Sequence, residues 1–118
     1  VSLIKSSDNT CVILTQTGGE VESYLLDCPT GTMTKTGQFD FGMMEPLRSE
    51  GSVIYSIVTK RPNTDSYILY SLDAGKTWNT HSINESHIRA YCIHNGYLYF
   101  YNQFMHTICR QKLEIKNL

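Results

Sequence analysis

Apolar residues in this chain come in short alternating or β-branched runs, and turn-forming residues bound each run. That pattern specifies β-strands and leaves little else for the chain to fold into. Cys11 to Thr15 and Val21 to Asp27 flank Gly18-Gly19, a pair that accepts the positive φ angles of a two-residue hairpin turn. Thr32 to Thr36 alternates methionine and lysine among threonines, as a half-exposed strand does. Ser52 to Lys60 (SVIYSIVTK) gives the clearest pattern of a buried strand. Arg61 to Asp65 is a polar turn leading into its hairpin partner, Ser66 to Leu72. Trp78 to Ile83, His87 to Ile93, Tyr97 to Tyr101 and Thr107 to Ile115 extend the meander, with Asn95-Gly96 as a second hairpin turn.

Helix is excluded on the same ground. No segment longer than two turns keeps apolar residues at a spacing of about 3.6. Met43 to Arg48 comes nearest, but Pro46 interrupts it and Gly42 precedes it. The expectation is one all-β domain over 1–118 with eight or nine strands. Its architecture is expected to be a small antiparallel β-sandwich or two to three propeller-like meanders. At 118 residues, too few for four blades of roughly 40–45 residues each, it has no room for a closed propeller.

Ten lysines and arginines against eleven acids give a net charge of −1, which supplies no electrostatic reason for a nucleic-acid partner. No apolar run approaches the roughly 20 residues of a membrane helix. Charge is nevertheless uneven: residues 1–59 hold seven acids and three bases, residues 60–118 four acids and seven bases. Such a dipole orients a charged partner on approach.

Cys11, Cys28, Cys92 and Cys109 are compatible with disulfides and an exported, periplasmic location. The first residue is Val1, so a removed leader, with or without a lipid anchor, is one expectation and a trimmed chain the other. If Gly19-Glu20 forms the turn, Cys11 lies opposite Cys28; with Gly18-Gly19 the two are offset by two on one face. Both registers permit a bridge, and a Cys11–Cys28 disulfide is expected. In a simple meander Cys92 and Cys109 lie two strands apart, roughly 9–10 Å, too far to bridge. Either that meander is broken, or these thiols remain free or pair elsewhere. Cys92, His94, His106 and Cys109 superficially suggest zinc, but a regular strand points His106 and Cys109 to opposite faces, so no metal site is assigned.

No catalytic residue and no cofactor is expected. Asp40-Phe41-Gly42 and Gly75-Lys76-Thr77 lack the companion motifs of kinases and phosphate loops. No Ser/His/Asp triad can be read. Asn84-Glu85-Ser86 fits a glycosylation acceptor. The candidate contact surface is Phe39, Asp40, Phe41, Met43, Met44 and Glu45. This stretch mixes aromatics, methionines and acids outside any clear strand, and adaptable methionines with aromatic anchors suit a protein partner. The competing reading makes it a lid folded onto the end of the β core.

One turn carries a specific motif. In Ser71-Leu72-Asp73-Ala74-Gly75-Lys76-Thr77-Trp78 the glycine permits tight backbone and the Asp73 carboxylate accepts turn N–H groups. Ser71 and Thr77 satisfy further backbone groups, and Trp78 anchors the turn on the core. The pattern S-x-D-x-G-x-T-W resembles the Asp-box of sialidase-type β-propellers, and 67–115 resembles one repeat. The resemblance implies a structural role for Asp73. Sialidase activity is not implied, since the surrounding arginine motifs are missing. A late Asp-box turn and a G-Y-L-Y strand (96–99) in a short cysteine-containing all-β chain also resemble periplasmic immunity proteins of the type VI secretion system. That resemblance implies a non-enzymatic inhibitor that binds and blocks a cognate secreted antibacterial toxin. The alternatives are a glycan-binding or adhesion module that uses exposed tyrosines as stacking platforms, and a fragment of a larger sialidase-like enzyme.

Overall fold

A computed structural model describes residues 1–60, 65–83, 85 and 88–115. Residues 61–64 of the expected Arg61 to Asp65 turn, His87, and Asn84 and Ser86 of the glycosylation acceptor lie outside the described residues, while Asp65 opens β8.

The described residues form an all-β fold of antiparallel strands in three sheets, with no closed propeller. The N-terminal sheet is a meander of β1 (Ser2–Lys5), β2 (Thr10–Thr17), β3 (Glu20–Asp27) and β4 (Thr32–Phe39). The central sheet holds β7 (Val53–Lys60), β8 (Asp65–Ser71) and β9 (Asn79–Ile83). Two short strands, β5 (Met43–Met44) and β6 (Arg48–Glu50), pair in tandem along the free edge of β7. The C-terminal sheet is β10 (Ile88–His94), β11 (Tyr97–Asn102) and β12 (Thr107–Lys112).

Side-chain alternation places the central sheet between the other two. Ile54, Val58 and Leu69 join Val12, Leu14 and Val21 of the N-terminal sheet in one core. Their strand neighbours Tyr55, Ile57 and Ile68 join Ile93, Leu98 and Phe100 of the C-terminal sheet in a second. Period-two geometry sends successive residues to opposite faces, so one apolar run feeds two cores. This is why Val53 to Lys60 lacks the polar alternation of its neighbours.

The two hairpin turns fall where glycine specifies them. Gly18 and Gly19 both have positive φ (57° and 87°), as do Asn95 and Gly96 (50° and 78°), the combination required by a type I′ turn. With Gly18-Gly19 at the tip, Cys11 pairs with Leu26, leaving Cys28 two residues further along. The Met43 to Arg48 stretch, nearest to a helical pattern, is extended instead. β1, β5 and β6 raise the described strands above the expected eight or nine, and each is too short to show a periodicity.

Candidate functional site

Residues 41–47 connect the N-terminal sheet to the central one, and two buried side chains hold them. Phe41 and Leu47, each 8% exposed, sit in the core between those sheets. Phe41 lies 5.5 Å from the Tyr67 ring. The backbone between these two side chains is hydrogen-bonded almost continuously. Gly42 N–H donates to Thr59 O (2.9 Å), and Glu45 N–H to Ile57 O (2.8 Å). Gln16 clamps the same stretch, donating through Nε2 to Gly42 O and accepting from Met44 N–H (3.2 Å). The Ser56 hydroxyl donates to Glu45 O (2.6 Å), and the Tyr91 hydroxyl to Pro46 O (2.6 Å). Ser2 Oγ receives Leu47 N–H (2.9 Å).

Phe41 is therefore a core residue and is removed from the candidate contact set, while Phe39 is half-buried against the same core. Asp40 and Met43 are exposed, and Met44 and Glu45 partly so. Met43, Met44 and Glu45 line a shallow cleft of about 110 Å³ with Ile57, Ile88 and Arg89. Arg89 Nη1 approaches Glu45 Oε1 at 3.3 Å across it. Gln16, Ser56 and Tyr91 escaped the sequence reading because each reaches a segment distant in sequence, Gln16 and Tyr91 from another sheet, where spacing carries no signal.

Tyr91 is the most tightly engaged of them. Its hydroxyl also receives Ile57 N–H (3.3 Å), so one phenol joins the C-terminal sheet, β7 and the connecting segment. Burial pushes its pKa up to about 12, with the neighbouring donors and Arg48 acting in the opposite sense. Tyr55 is similarly raised by burial, and its hydroxyl receives Ile93 N–H at 3.0 Å.

A second surface is the outer face of the C-terminal sheet. Tyr97, Tyr99 and Tyr101 alternate along β11 with the buried Leu98 and Phe100, so all three hydroxyphenyl groups share that face. Register places Cys92 and Arg110 on either side of Tyr99, and His94 and Lys112 on either side of Tyr97. A bulge at Ala90 (φ 46°) interrupts β10 beside Tyr101. The Arg110 guanidinium lies 4.8 Å from the Tyr97 ring centroid, and that of Arg48 5.6 Å from Tyr91. Ile108, opposite Tyr101, is 84% exposed.

The Ser71 to Trp78 turn closes on itself. Asp73 Oδ1 accepts from the Ser71 hydroxyl (2.8 Å) and Thr77 N–H (2.9 Å), while Oδ2 accepts from the Thr77 hydroxyl (2.6 Å). Ser71 Oγ in turn receives Gly75 N–H (2.8 Å), and Trp78 Nε1 donates to Gly75 O (3.2 Å). Desolvation opposes ionisation of Asp73, but the Thr77 and Ser71 hydrogen bonds outweigh it and hold the carboxyl below its usual range. The residues serve this turn.

The four cysteines are free thiols, which corrects the expected disulfide. Cys11 and Cys28 share a face and their Sγ atoms stand 3.7 Å apart, against about 2.05 Å for a bond. The Cys11 thiol beside it raises the Cys28 pKa. Cys92 and Cys109 face opposite sides of their sheet, because Cys109 pairs with the inward Phe100 while Cys92 pairs with Tyr99. No group of three or more His, Cys, Asp or Glu able to hold a metal occurs among the described residues.

No family model matches the chain, and neither a curated protein nor a solved structure matches it. The two family resemblances are thereby corrected. Residues 67–115 do not form one repeat: β8 and β9 belong to the central sheet and β10 to β12 to another. A short motif in a self-capping turn is compatible with many β-hairpins, and the chain is an all-β domain of three separate, unclosed sheets with no sialidase-type repeat. No helix among the described residues is long and apolar enough to cross a membrane.

Proposed function

We propose that the chain is a non-enzymatic inhibitor that binds and blocks a protein partner, a secreted antibacterial toxin met in the periplasm. The observation that carries this reading is the way residues 41–47 are presented. Phe41 and Leu47 are buried at its two ends, and Met43, Met44 and Glu45 lie between them beside a cleft. Hydrogen bonds from Gln16, Ser56 and Tyr91 order the segment before any encounter. An ordered segment loses less conformational freedom on binding, and flexible methionines adapt to the opposing surface. The cleft would accept an apolar anchor from the partner, with Glu45 and Arg89 at its mouth.

The test is a photo-crosslinking residue at position 43 of the full chain, exposed to secreted and envelope proteins of the source cells. One stoichiometric adduct is expected, lost on Glu45→Arg, with the captured protein's activity blocked by added chain. A ladder of unrelated adducts unchanged by Glu45→Arg would refute it. The tyrosine row on β11 favours a second reading, a glycan-binding or adhesion module in which sugar rings pack on Tyr99 and Tyr101.

A further inference from the structure

The outer face of the C-terminal sheet holds a groove whose chemistry goes further than stacking. Its open volume is about 360 Å³, and Arg48, Ala90, Cys92, Tyr99, Tyr101 and Ile108 line it. Ala90, at the bulge of β10 beside Tyr101, is part of the lining. Its surface is mainly aromatic and aliphatic, with Arg48 in the lining. Arg110 and Lys112, on β12, lie on the same face of the sheet opposite Tyr99 and Tyr97, the Arg110 guanidinium resting on the Tyr97 ring. None of these three makes a salt bridge among the described residues, in contrast to Arg89 with Glu45. Glu50 lies 3.5 Å from His94 at the Tyr97 end. His106 contacts the Tyr101 hydroxyl at 3.2 Å.

We infer that this groove binds an acidic glycan, a chain of sugar rings bearing carboxylate or sulfate groups; the inference rests on the glycan-binding reading above. The C–H face of a pyranose packs on Tyr99, Tyr101 and Ile108, and its anionic substituents meet Arg48 and Arg110, whose planar forks suit carboxylate and sulfate oxygens. Arg48, on β6, stands by Tyr91 of β10, and Arg110 is on β12, two strand spacings or about 10 Å from β10, so the pair fits a chain rather than one ring. Single-stranded nucleic acid is a poorer match. Successive bases need a row of open ring faces. Here Arg110 already covers Tyr97, and the Tyr97 and Tyr99 rings are tilted by 48°.

The experiment titrates the full chain, by calorimetry and by amide chemical shifts, with four probes. These are oligogalacturonate, heparin oligosaccharides, neutral cello-oligosaccharides and oligothymidylate. Binding of either acidic saccharide is expected, with shifts confined to β10–β12 and Arg48. Oligogalacturonate and heparin separate carboxylate from sulfate recognition. Arg48→Gln with Arg110→Gln should weaken binding by about tenfold or more, the scale of a lost charge-assisted pair. Both side chains are exposed, so the melting temperature should stay within the error of the wild type. Equal affinity for neutral saccharides overturns the acidic specificity and leaves the glycan reading intact. Failure of every saccharide overturns both, as does tighter binding of oligothymidylate. Undiminished affinity in the double variant overturns the site.

Discussion

Gly75→Ala is expected to be among the most damaging single-methyl additions the fold can suffer. A methyl group added at Gly75 would collide with Cγ2 of Val12, a fully buried residue of the N-terminal sheet. The turn that carries Gly75 thus meets the neighbouring sheet backbone-first. Two costs combine. At φ +93° an L-residue is strained, by about 1–2 kcal/mol on the scale of left-handed backbone. Overpacking a filled core adds roughly 1–3 kcal/mol. The sum, about 2–5 kcal/mol, is a large share of the 5–15 kcal/mol typical of a domain. Gly51→Ala separates the two costs, because Gly51 also has positive φ (62°) but nothing within 4 Å of the added methyl. It should cost only the strain. Val12→Ala removes the obstructing methyl groups at an expense of about 2–3 kcal/mol by itself. Urea unfolding of both single variants and the double variant completes the cycle. The double variant should fall short of the summed losses by about 1–3 kcal/mol, because the substitution at position 12 makes room for the one at 75. Additivity within about 0.5 kcal/mol, or equal losses at positions 51 and 75, would refute the close approach.

Other outcomes follow from the same geometry. Tyr91→Phe should cost about 1–3 kcal/mol in urea unfolding, since it leaves Pro46 O and Ile57 N–H without their hydroxyl partner in a buried site. Because the folded Tyr91 pKa is raised to about 12 from an ordinary 10, its contribution is complete below pH 10 and lost as pH rises toward 12; alkaline unfolding of wild type and Tyr91→Phe should therefore differ in slope there. Asp73 is depressed, so its contribution is present above its ordinary pKa near 3.8 and lost as pH falls through the lower folded value; Asp73→Asn should flatten that part of the urea-midpoint profile. Phe41→Ser should lower stability by about 3–5 kcal/mol as a core deletion, whereas Met43→Ser, at an exposed site, should stay within about 0.5 kcal/mol and act on partner binding alone.

The strand content was legible because period-two alternation and turn chemistry are local. Gly18-Gly19 and Asn95-Gly96 fall at hairpin tips because their backbone angles are set by the residues themselves. The long apolar run at 53–60 announced burial, although its partition between two cores depends on sheets distant in sequence. The candidate site was half legible. Met43 to Glu45 stood out through composition, but nothing local distinguishes Phe41, which points into the core, from Met43, two positions on. The cysteine pair shows the same boundary. Its shared face followed from the turn, but whether the sulfurs bond depends on side-chain placement at a scale of about 2 Å that spacing does not resolve. The Ser71 to Trp78 motif misled in a different way: its hydrogen bonds are self-contained, so the motif specifies a turn and says nothing of the sheets around it.

The layering has a further consequence for how the molecule opens. Each outer sheet has one core to lose, whereas the central sheet contributes to both. Units that touch only their neighbours fray from the ends inward, as in a short stack of repeats. Amides of β7 and β8 should then exchange with solvent hydrogen last and those of β1 and β12 first, with β5 and β6 protected only as long as Phe41 and Leu47 stay seated. The cleft beside Met43 to Glu45 opens between the central and C-terminal sheets, while the groove offered to a glycan lies on the outer face of the C-terminal sheet, so occupying the groove should slow exchange in β10 to β12 before it slows the centre.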